Sequence, residues 1–155
     1  MGFNIVLVEP EIPTNTGNIG RLSLASGSAL HLVKPFGFEL NDKRLKRAGL
    51  DYWKHISLNI YENIEDFYLK NKEANMVYFS SSATKNYTSI DFQDNMFFLF
   101  GKESEGLSKK IINNNLDKLY TIPIYTKHVR SLNLANAVSI AVYEGLRNLK
   151  RSEER

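Results

Sequence analysis

The sequence predicts an α/β fold with a mostly parallel sheet flanked by helices. Short runs rich in β-branched and aromatic residues alternate along the chain with segments of helical spacing, which is typical of parallel α/β domains. The predicted strands are apolar on both faces, as strands buried between helix layers are. The chain has 155 residues, of which 43% are hydrophobic, and no stretch is typical of an interdomain linker. We therefore expect one domain, residues 1–155.

Six strands are predicted from these apolar runs. The first is Asn4–Val8, NIVLV, which Glu9 and Pro10 close. The others are Ala29–Val33, Ile56–Tyr61, Met76–Ser80, Met96–Phe100 and Tyr120–Ile124. The segment from residue 81 to 93 is polar and irregular, and no strand is expected there.

Five helices are predicted from residues that recur at three- and four-residue steps. The run EIPTNTGNIGR is expected to be a loop, followed by a helix that ends at Gly27. The later helices are Asp42–Gly49, Ile64–Asn71, Leu107–Asn115 and Leu134–Leu149.

The last predicted helix has two notable features. Ser131 and Asn133 stand where a helix N-cap is expected, because the apolar periodicity begins at Leu134. In addition, apolar residues occur on a second face, at Ala135, Ala137, Ile140 and Tyr143. A second copy of the chain would cover that face, which predicts a homodimer.

Composition excludes several classes of site. The chain has no cysteine, which rules out disulfides, thiolate metal ligands and a cysteine nucleophile. His31, His55 and His128 are too scattered in sequence to predict a metal site. The N-terminal run MGFNIVLVEP is too short and too soon followed by an acid to be a signal peptide or membrane span. We expect a soluble cytoplasmic protein that does not enter a membrane.

Positive charge is clustered rather than spread. The net charge is only +3, with a pI near 9.0. Three clusters stand in segments predicted as loop or helix edge: Lys43, Arg44, Lys46 and Arg47; Lys109 and Lys110; Lys127, His128 and Arg130. Any one of them is explained equally well as solvated surface, but three together favour a polyanionic partner.

Three segments that follow strands carry the candidate chemistry, because ligands of open α/β sheets bind beyond the carboxyl ends of the strands. The first, residues 15–21, combines turn-forming residues with Arg21 and would form an anion site; the alternative is an ordinary turn with a surface arginine. The second, residues 100–107, matches neither a Walker loop nor a GxGxxG fingerprint. There Gly101 permits close approach of a ligand or only stops the strand, and Glu103 offers a carboxylate. The third is residues 122–133.

Together these segments resemble a known family. NTGNIGR at 15–21, LFGKESEGL at 99–107 and IPIYTKHVRSLNLANAVSIAVYEGLR at 122–147 are similar, in order, to the three motifs of the SPOUT (trefoil-knot) RNA methyltransferases. With EPEIPTNTGNIGR and RLKRAGLDYW, at 44–53, the resemblance covers nearly the whole chain. It is closest to the minimal subgroup, the tRNA (cytidine/uridine-34)-2'-O-methyltransferases.

The resemblance implies a fold and an activity. The C-terminal part of the sheet would form a deep trefoil knot, which ordinary topology rules disfavour. The cofactor would be S-adenosylmethionine, converted to S-adenosylhomocysteine. The substrate would be the anticodon stem-loop of a tRNA, with tRNA-Leu expected, methylated on the ribose of wobble nucleotide 34, a C or modified U. The active form would be a homodimer joined through the last helix.

The resemblance also assigns residues. Those expected to bind the cofactor are Phe79, Gly101, Ile122, Ser131 and Leu132. Arg21 and Asn133 are the expected catalytic residues, and the substrate would be bound by Asn15, Arg44, Arg47, Glu103 and Arg130, with no metal. A guanidinium is a poor base, so we expect Arg21 to hold a substrate phosphate and stabilise the developing alkoxide. The proton acceptor is left open between that phosphate and water.

Two other readings stay open at this stage. One is a knotted RNA-binding protein without catalysis, for which the intact set of Arg21, Gly101, Glu103 and residues 131–133 would have no purpose. The other is the same methyl transfer at a different tRNA or rRNA position.

Overall fold

A seven-stranded sheet forms the centre of the computed structural model, which describes residues 2–153 apart from the side chains at 49–51 and 151–153. The strand order is β3-β2-β1-β6-β4-β7-β5. The strands are β1 (Asn4–Val8), β2 (Ala29–Val33), β3 (Leu58–Tyr61), β4 (Met76–Phe79), β5 (Lys85–Asn86), β6 (Phe97–Phe100) and β7 (Leu119–Thr121). Every neighbouring pair is parallel, which confirms the predicted parallel α/β sheet.

Parallel pairing brings all the carboxyl ends of the strands to one edge of the sheet. Strands β1, β6, β4 and β7 are neighbours, so the loops after them converge. The six predicted strands are present with boundaries shifted by up to three residues. Strand β5 was not predicted, because its two residues, Lys85 and Asn86, are polar and exposed and carry no apolar pattern.

Helices cover both faces of the sheet. They are α1 (Pro13–Ala25), α2 (Lys43–Gly49), α3 (Ile64–Lys70), α4 (Lys109–Asn114) and α5 (Leu134–Glu153), with 3-10 turns at Leu50–His55, Tyr87–Ser89 and Leu116–Lys118. On one face Val138 and Val142 of α5 pack with Ile19 of α1 against the sheet. On the other face Phe67 of α3 and Ile111 of α4 form a second buried cluster.

Helix α1 begins earlier than predicted. The segment up to Arg21 was expected to be a loop, but the helix starts at Pro13, so the whole NTGNIGR motif is helical. Proline suits the first helical position, and tertiary packing explains the rest. Asn15 and Gly17 are buried, and a Cβ at Gly20 would lie 2.8 Å from side-chain atoms of both Trp53 and Ile56. Residues that locally favour a turn are here selected for close packing.

The start of α5 is as predicted. The helix begins at Leu134, and the Oδ1 of Asn133 accepts from the backbone N–H of Asn136 at 3.2 Å, so Asn133 is the cap and Ser131 is not. On the second apolar face Ile140 and Tyr143 are exposed in the single chain, at 38% and 50%.

Among residues 2–153 no helix has the length and apolar content needed to cross a membrane. The trefoil knot stays a prediction, since strand order alone does not decide how the chain is threaded.

Candidate active site

A cavity of about 660 Å³ opens at the carboxyl edge of the sheet. Its walls come from the segments that follow β1, β4, β6 and β7, which are adjacent in the sheet. The predicted site residues that line it are Asn15, Phe79, Gly101, Glu103, Ile122, Arg130, Ser131, Leu132 and Asn133. The volume lies in the range of sites that bind small molecules. Residues that are far apart in sequence are thus brought to one place, while their individual roles stay predictions.

Residues 101–106 form a compact hairpin on one side of the cavity. Lys102 and Gly106 pair in antiparallel fashion, and the N–H of Gly106 donates to the carbonyl of Lys102 at 2.9 Å. A Cβ at Gly101 would lie 2.0 Å from the backbone carbon of Gly106. Glycine is therefore required at 101 by the loop's own backbone, which is a more specific reason than a strand stop or the approach of a ligand.

Asn15 and Asn133 meet in the wall of the cavity. The Nδ2 of Asn133 donates to the Oδ1 of Asn15 at 3.2 Å, while the Oδ1 of Asn133 caps α5. Because the cap requires an oxygen at that position, the orientation of the Asn133 amide is fixed. The Nδ2 of Asn15 has no hydrogen-bond partner within the described part of the chain, which leaves a donor at the cavity for a ligand oxygen.

The segment from residue 122 to 132 suits the cofactor that the family resemblance implies. Outside the strand ladders, residues 122–132 make no backbone-to-backbone hydrogen bond in the described part of the chain, although the N–H of His128 donates to the Oγ1 of Thr126. Most of their backbone groups are therefore available to a ligand. Ile122, Ile124 and Leu132 add apolar side chains to the cavity wall. A flat heteroaromatic base fits between such side chains and free backbone donors and acceptors.

Arg21 lies outside this cavity. It stands six residues after Asn15 on α1, which places it roughly 120° around the helix axis and about 9 Å further along. Its guanidinium lies above the ring of Tyr52, with Cζ 5.1 Å from the ring centroid, and the side chain is exposed. The expected anion site at the start of a helix is therefore wrong in geometry, because α1 begins eight residues before Arg21.

The basic helix α2 packs beside α1, so its cations lie on the same side of the molecule as Arg21. Leu45 is fully buried and anchors the helix, while Lys46 and Arg47 are exposed. The guanidinium of Arg44 is paired with Asp42 through Nε at 3.2 Å and Nη2 at 3.1 Å. The Asp42 hydrogen bonds and charge raise the pKa of Arg44, so its cation is already partly satisfied by the protein.

Glu103 faces the backbone rather than open solvent. Its carboxylate accepts from the N–H groups of Glu11 and Ile12, at the start of α1, which has no side-chain cap of its own. Burial raises the pKa of Glu103, against the opposing effect of those two donors. The carboxylate of Glu11 accepts in turn from Ser104, whose hydrogen bonds lower the pKa of Glu11.

Sequence reasoning missed Glu11 and Ser104, because their contact joins residues 93 positions apart. Both residues lie within segments quoted for the family resemblance, Glu11 in EPEIPTNTGNIGR and Ser104 in LFGKESEGL, but nothing local indicates that they are partners. Across the described residues no group of three or more His, Cys, Asp or Glu side chains could hold a metal ion.

Comparisons with known proteins identify the family of this chain. Residues 2–143 match the SpoU rRNA Methylase family. A relative from Geobacillus stearothermophilus, provisionally named a tRNA (cytidine(34)-2'-O)-methyltransferase, is 44% identical over 150 residues, which is 95% of this chain and 95% of the relative.

Two solved structures extend the likeness to the fold. One, described as giving structural insights into the 2-OH methylation of C/U34 on tRNA, has a TM-score of 0.91, 39% identity and coverage of 96% of each chain. The other, an S-adenosylmethionine-bound rRNA methyltransferase from Sinorhizobium meliloti, has a TM-score of 0.85 and 26% identity, and covers 96% of this chain and 57% of that chain.

Proposed function

Because this chain belongs to the SpoU rRNA methylase family, we propose that it is an S-adenosylmethionine-dependent methyltransferase that modifies the 2'-hydroxyl of nucleotide 34, a C or modified U, in tRNA. The observation that carries the proposal is the cavity at the carboxyl edge of the sheet, where the hairpin 101–106, the open segment 122–132 and the Asn15–Asn133 pair meet. The whole chain acts as one catalytic domain. Its C-terminal part forms the family's trefoil knot.

The cofactor binds in this cavity. Gly101, Ile122 and Leu132 form the wall against its adenosine, together with Phe79 and Ser131, which also line the cavity. When bound, S-adenosylmethionine supplies a methyl group on a positively charged sulfur. Those backbone groups of residues 122–132 that have no protein partner hold and orient the cofactor, without any acidic fingerprint for its ribose.

Asn15 and Asn133 orient the ribose of the substrate. The free Nδ2 of Asn15 donates to a ribose oxygen, and Asn133 fixes Asn15 in the conformation that does so. Held in this way, the 2'-hydroxyl would face the methyl group that the cofactor supplies, and its proton would leave to a phosphate or water as the oxygen is methylated. Arg21, which lies outside the cavity, holds a phosphate of the bound RNA and so helps to position the reacting ribose.

The RNA lies along α2 and reaches the cavity past Arg130. Lys46 and Arg47 are exposed and contact phosphates, as does Arg44. The anticodon stem-loop offers an unpaired nucleotide that can be turned out of its stack into the site. tRNA-Leu is the expected substrate, and the reaction takes place in the cytoplasm, where tRNA is processed.

The active form is a homodimer. Ile140 and Tyr143, on the outer face of α5, are exposed in the single chain, and Leu24 of α1 is 37% exposed. A second copy packed on α5 removes this apolar surface from water. Sedimentation of the wild type and of Tyr143→Glu tests this point: the wild type sediments as a dimer and the variant as a monomer, while a monomeric wild type contradicts it.

Incubation of the purified protein with S-adenosylmethionine and bulk tRNA tests the activity. Nucleoside mass spectrometry of anticodon fragments is expected to show a new 2'-O-methyl group at nucleotide 34. Methylation at another position would show that the protein performs the same reaction on a different nucleotide. Binding of tRNA without binding heat for S-adenosylmethionine would instead identify an RNA-binding protein without catalysis.

A further inference from the structure

The segment before α1 and the hairpin after β6 hold each other through two carboxylates. The Oε2 of Glu103 accepts from the backbone N–H of Glu11 at 2.9 Å and from that of Ile12 at 2.8 Å. In the other direction, the Oε1 of Glu11 accepts from the backbone N–H of Ser104 at 2.9 Å and from its hydroxyl at 2.7 Å. We name this set, Glu11, Glu103 and Ser104, the carboxylate clamp.

One side of the clamp is firmly fixed. The N–H of Gly37 donates to the carbonyl of Pro10 at 2.9 Å, and a Cβ at Gly37 would lie 2.8 Å from the Cα and the carbonyl oxygen of Glu11. The backbone at Glu11 is therefore packed against the loop after β2 with no spare room. The other side is more open, since Ser104, like the two residues after it, is exposed. The clamp thus ties an exposed hairpin to a rigid base.

Both sides of the clamp border the cavity. The hairpin 101–106 forms one wall, and Ile12 and Asn15 belong to another. In one half of the clamp, Glu103 caps α1, which has no capping side chain of its own. This structural role is enough to explain why a carboxylate occupies position 103. The Glu11 half caps no helix, and its two donors both belong to Ser104 in the cavity wall. The hydrogen bonds of Glu11 therefore determine the position of the hairpin.

We infer that Glu11 is a positioning residue for the cofactor: through Ser104 it holds the hairpin 101–106 in the shape that receives S-adenosylmethionine. The inference rests on the proposed function. A wall that is ordered before the ligand arrives loses less conformational entropy on binding, so the clamp increases affinity for the cofactor without touching it. Because the hairpin is tied to α1, the same contact keeps the cofactor wall in register with Asn15.

The expected effects follow from which hydrogen bonds each substitution removes. Glu11→Ala removes both acceptor contacts and is expected to raise the Kd for S-adenosylmethionine about tenfold. Glu11→Gln keeps an oxygen that can accept both bonds and should raise the Kd less. Ser104→Ala loses only the hydroxyl donor, and Ser104→Thr keeps it, so the threonine variant should bind like the wild type.

Three readouts separate positioning from simple loss of stability. Calorimetry gives the cofactor Kd; a melting temperature close to that of the wild type shows that the fold is intact; and hydrogen exchange of a peptide spanning 101–107 shows faster exchange at Ser104 in Glu11→Ala. The double variant Glu11→Ala with Ser104→Ala should bind the cofactor no more weakly than Glu11→Ala alone, because both remove one shared contact. Steady-state kinetics should show a raised KM for the cofactor with kcat nearly unchanged.

Glu73→Gln, an exposed acid on the turn after α3, is the matched control and should behave as the wild type. An unchanged cofactor Kd in Glu11→Ala, with or without a lower melting temperature, overturns the inference and leaves the proposed function standing. Absence of cofactor binding in the wild type itself rejects the proposed function and this inference with it.

Discussion

Asn133 donates a hydrogen bond from Nδ2 to the Oδ1 of Asn15 at 3.2 Å, joining residues 118 positions apart. The Oδ1 of the same Asn133 side chain accepts from the N–H of Asn136 and caps α5. The two ends of one amide therefore serve two functions: the oxygen stabilises a helix and the nitrogen fixes a residue at the cavity. Single substitutions can separate them.

Asn133→Ser is expected to keep the cap and lose the bridge to Asn15. Serine is as good an N-cap as asparagine, so the free energy of unfolding should stay close to that of the wild type, while kcat for methyl transfer falls. Asn133→Ala loses both functions and should also lower the free energy of unfolding by about 1 kcal/mol. Urea unfolding and single-turnover kinetics measure the two effects. Full activity in Asn133→Ser would show that the bridge does not contribute to the reaction.

Tyr52 is expected to orient Arg21. The guanidinium lies 5.1 Å from the ring centroid, and both side chains are exposed, so the cation–π contact contributes about 0.5–1 kcal/mol. Tyr52→Leu should therefore lower kcat roughly two- to fivefold, while Tyr52→Phe, which keeps the ring, should match the wild type. The Kd for S-adenosylmethionine should not change in either variant. Equal kcat values for the leucine and phenylalanine variants would refute this role.

Local signals predicted some of these features and could not predict others. The cap at Asn133 was predicted because a short polar residue followed by apolar periodicity is a local pattern. The helical state of residues 13–21 was not, because Asn and Gly favour turns locally and only the contacts of Gly20 with Trp53 and Ile56 explain their use in a helix.

The position of Arg21 was mispredicted for the same reason, because residues 13–21 were expected to form a loop. Once α1 begins at Pro13, Arg21 lies about 9 Å further along the helix than Asn15, outside the residues that line the cavity, and contacts Tyr52. The contact between Glu11 and Ser104 has no local signature at all, since its partners come together only through the neighbouring strands β1 and β6. By contrast, the placement of most predicted site residues around one cavity follows directly from parallel strand order.

Arg47 is expected to contribute more to RNA binding than Arg44. The guanidinium of Arg44 is held by Asp42, whereas Arg47 is exposed with no ion pair among the described residues. Arg47→Gln should weaken tRNA binding and lower the salt dependence of log K by about 0.7–0.9, the value of one phosphate contact. Arg44→Gln should have a smaller effect, and Lys72→Gln, on the turn after α3, should have none. Filter binding over a range of salt concentrations measures the slopes, and an unchanged slope in Arg47→Gln would exclude this contact.

His31 should make the stability of the fold depend on pH. It is 5% exposed; its Nε2 lies 2.9 Å from the Oδ1 of Asn4, and its Nδ1 lies 2.8 Å from the hydroxyl of Tyr61. Asn4 Oδ1 can only accept, so Nε2 carries the proton and Tyr61 donates to Nδ1. Burial lowers the pKa of His31 from 6.5 to about 4. The folded state therefore resists protonation, whereas the unfolded state accepts a proton near pH 6.5.

The contribution of His31 is fully present above about pH 6.5 and is lost as the pH falls towards about 4. Between pH 7.5 and 5 the free energy of unfolding should fall by about 2 kcal/mol more in the wild type than in His31→Gln, which does not titrate. Urea unfolding at both pH values gives the difference, and parallel changes in the two proteins would show that His31 is not responsible.

If this chain methylates the ribose of nucleotide 34 in tRNA, the mark must depend on it in the cell. The most direct measurement is the mapping of 2'-O-methyl groups on tRNA from cells that lack the protein, compared with the same cells that express the wild type or Arg21→Ala. The mark at nucleotide 34 is expected to disappear in the deletion, to return with the wild type and not to return with Arg21→Ala. A mark at nucleotide 34 that persists in the deletion strain would show that another enzyme makes it.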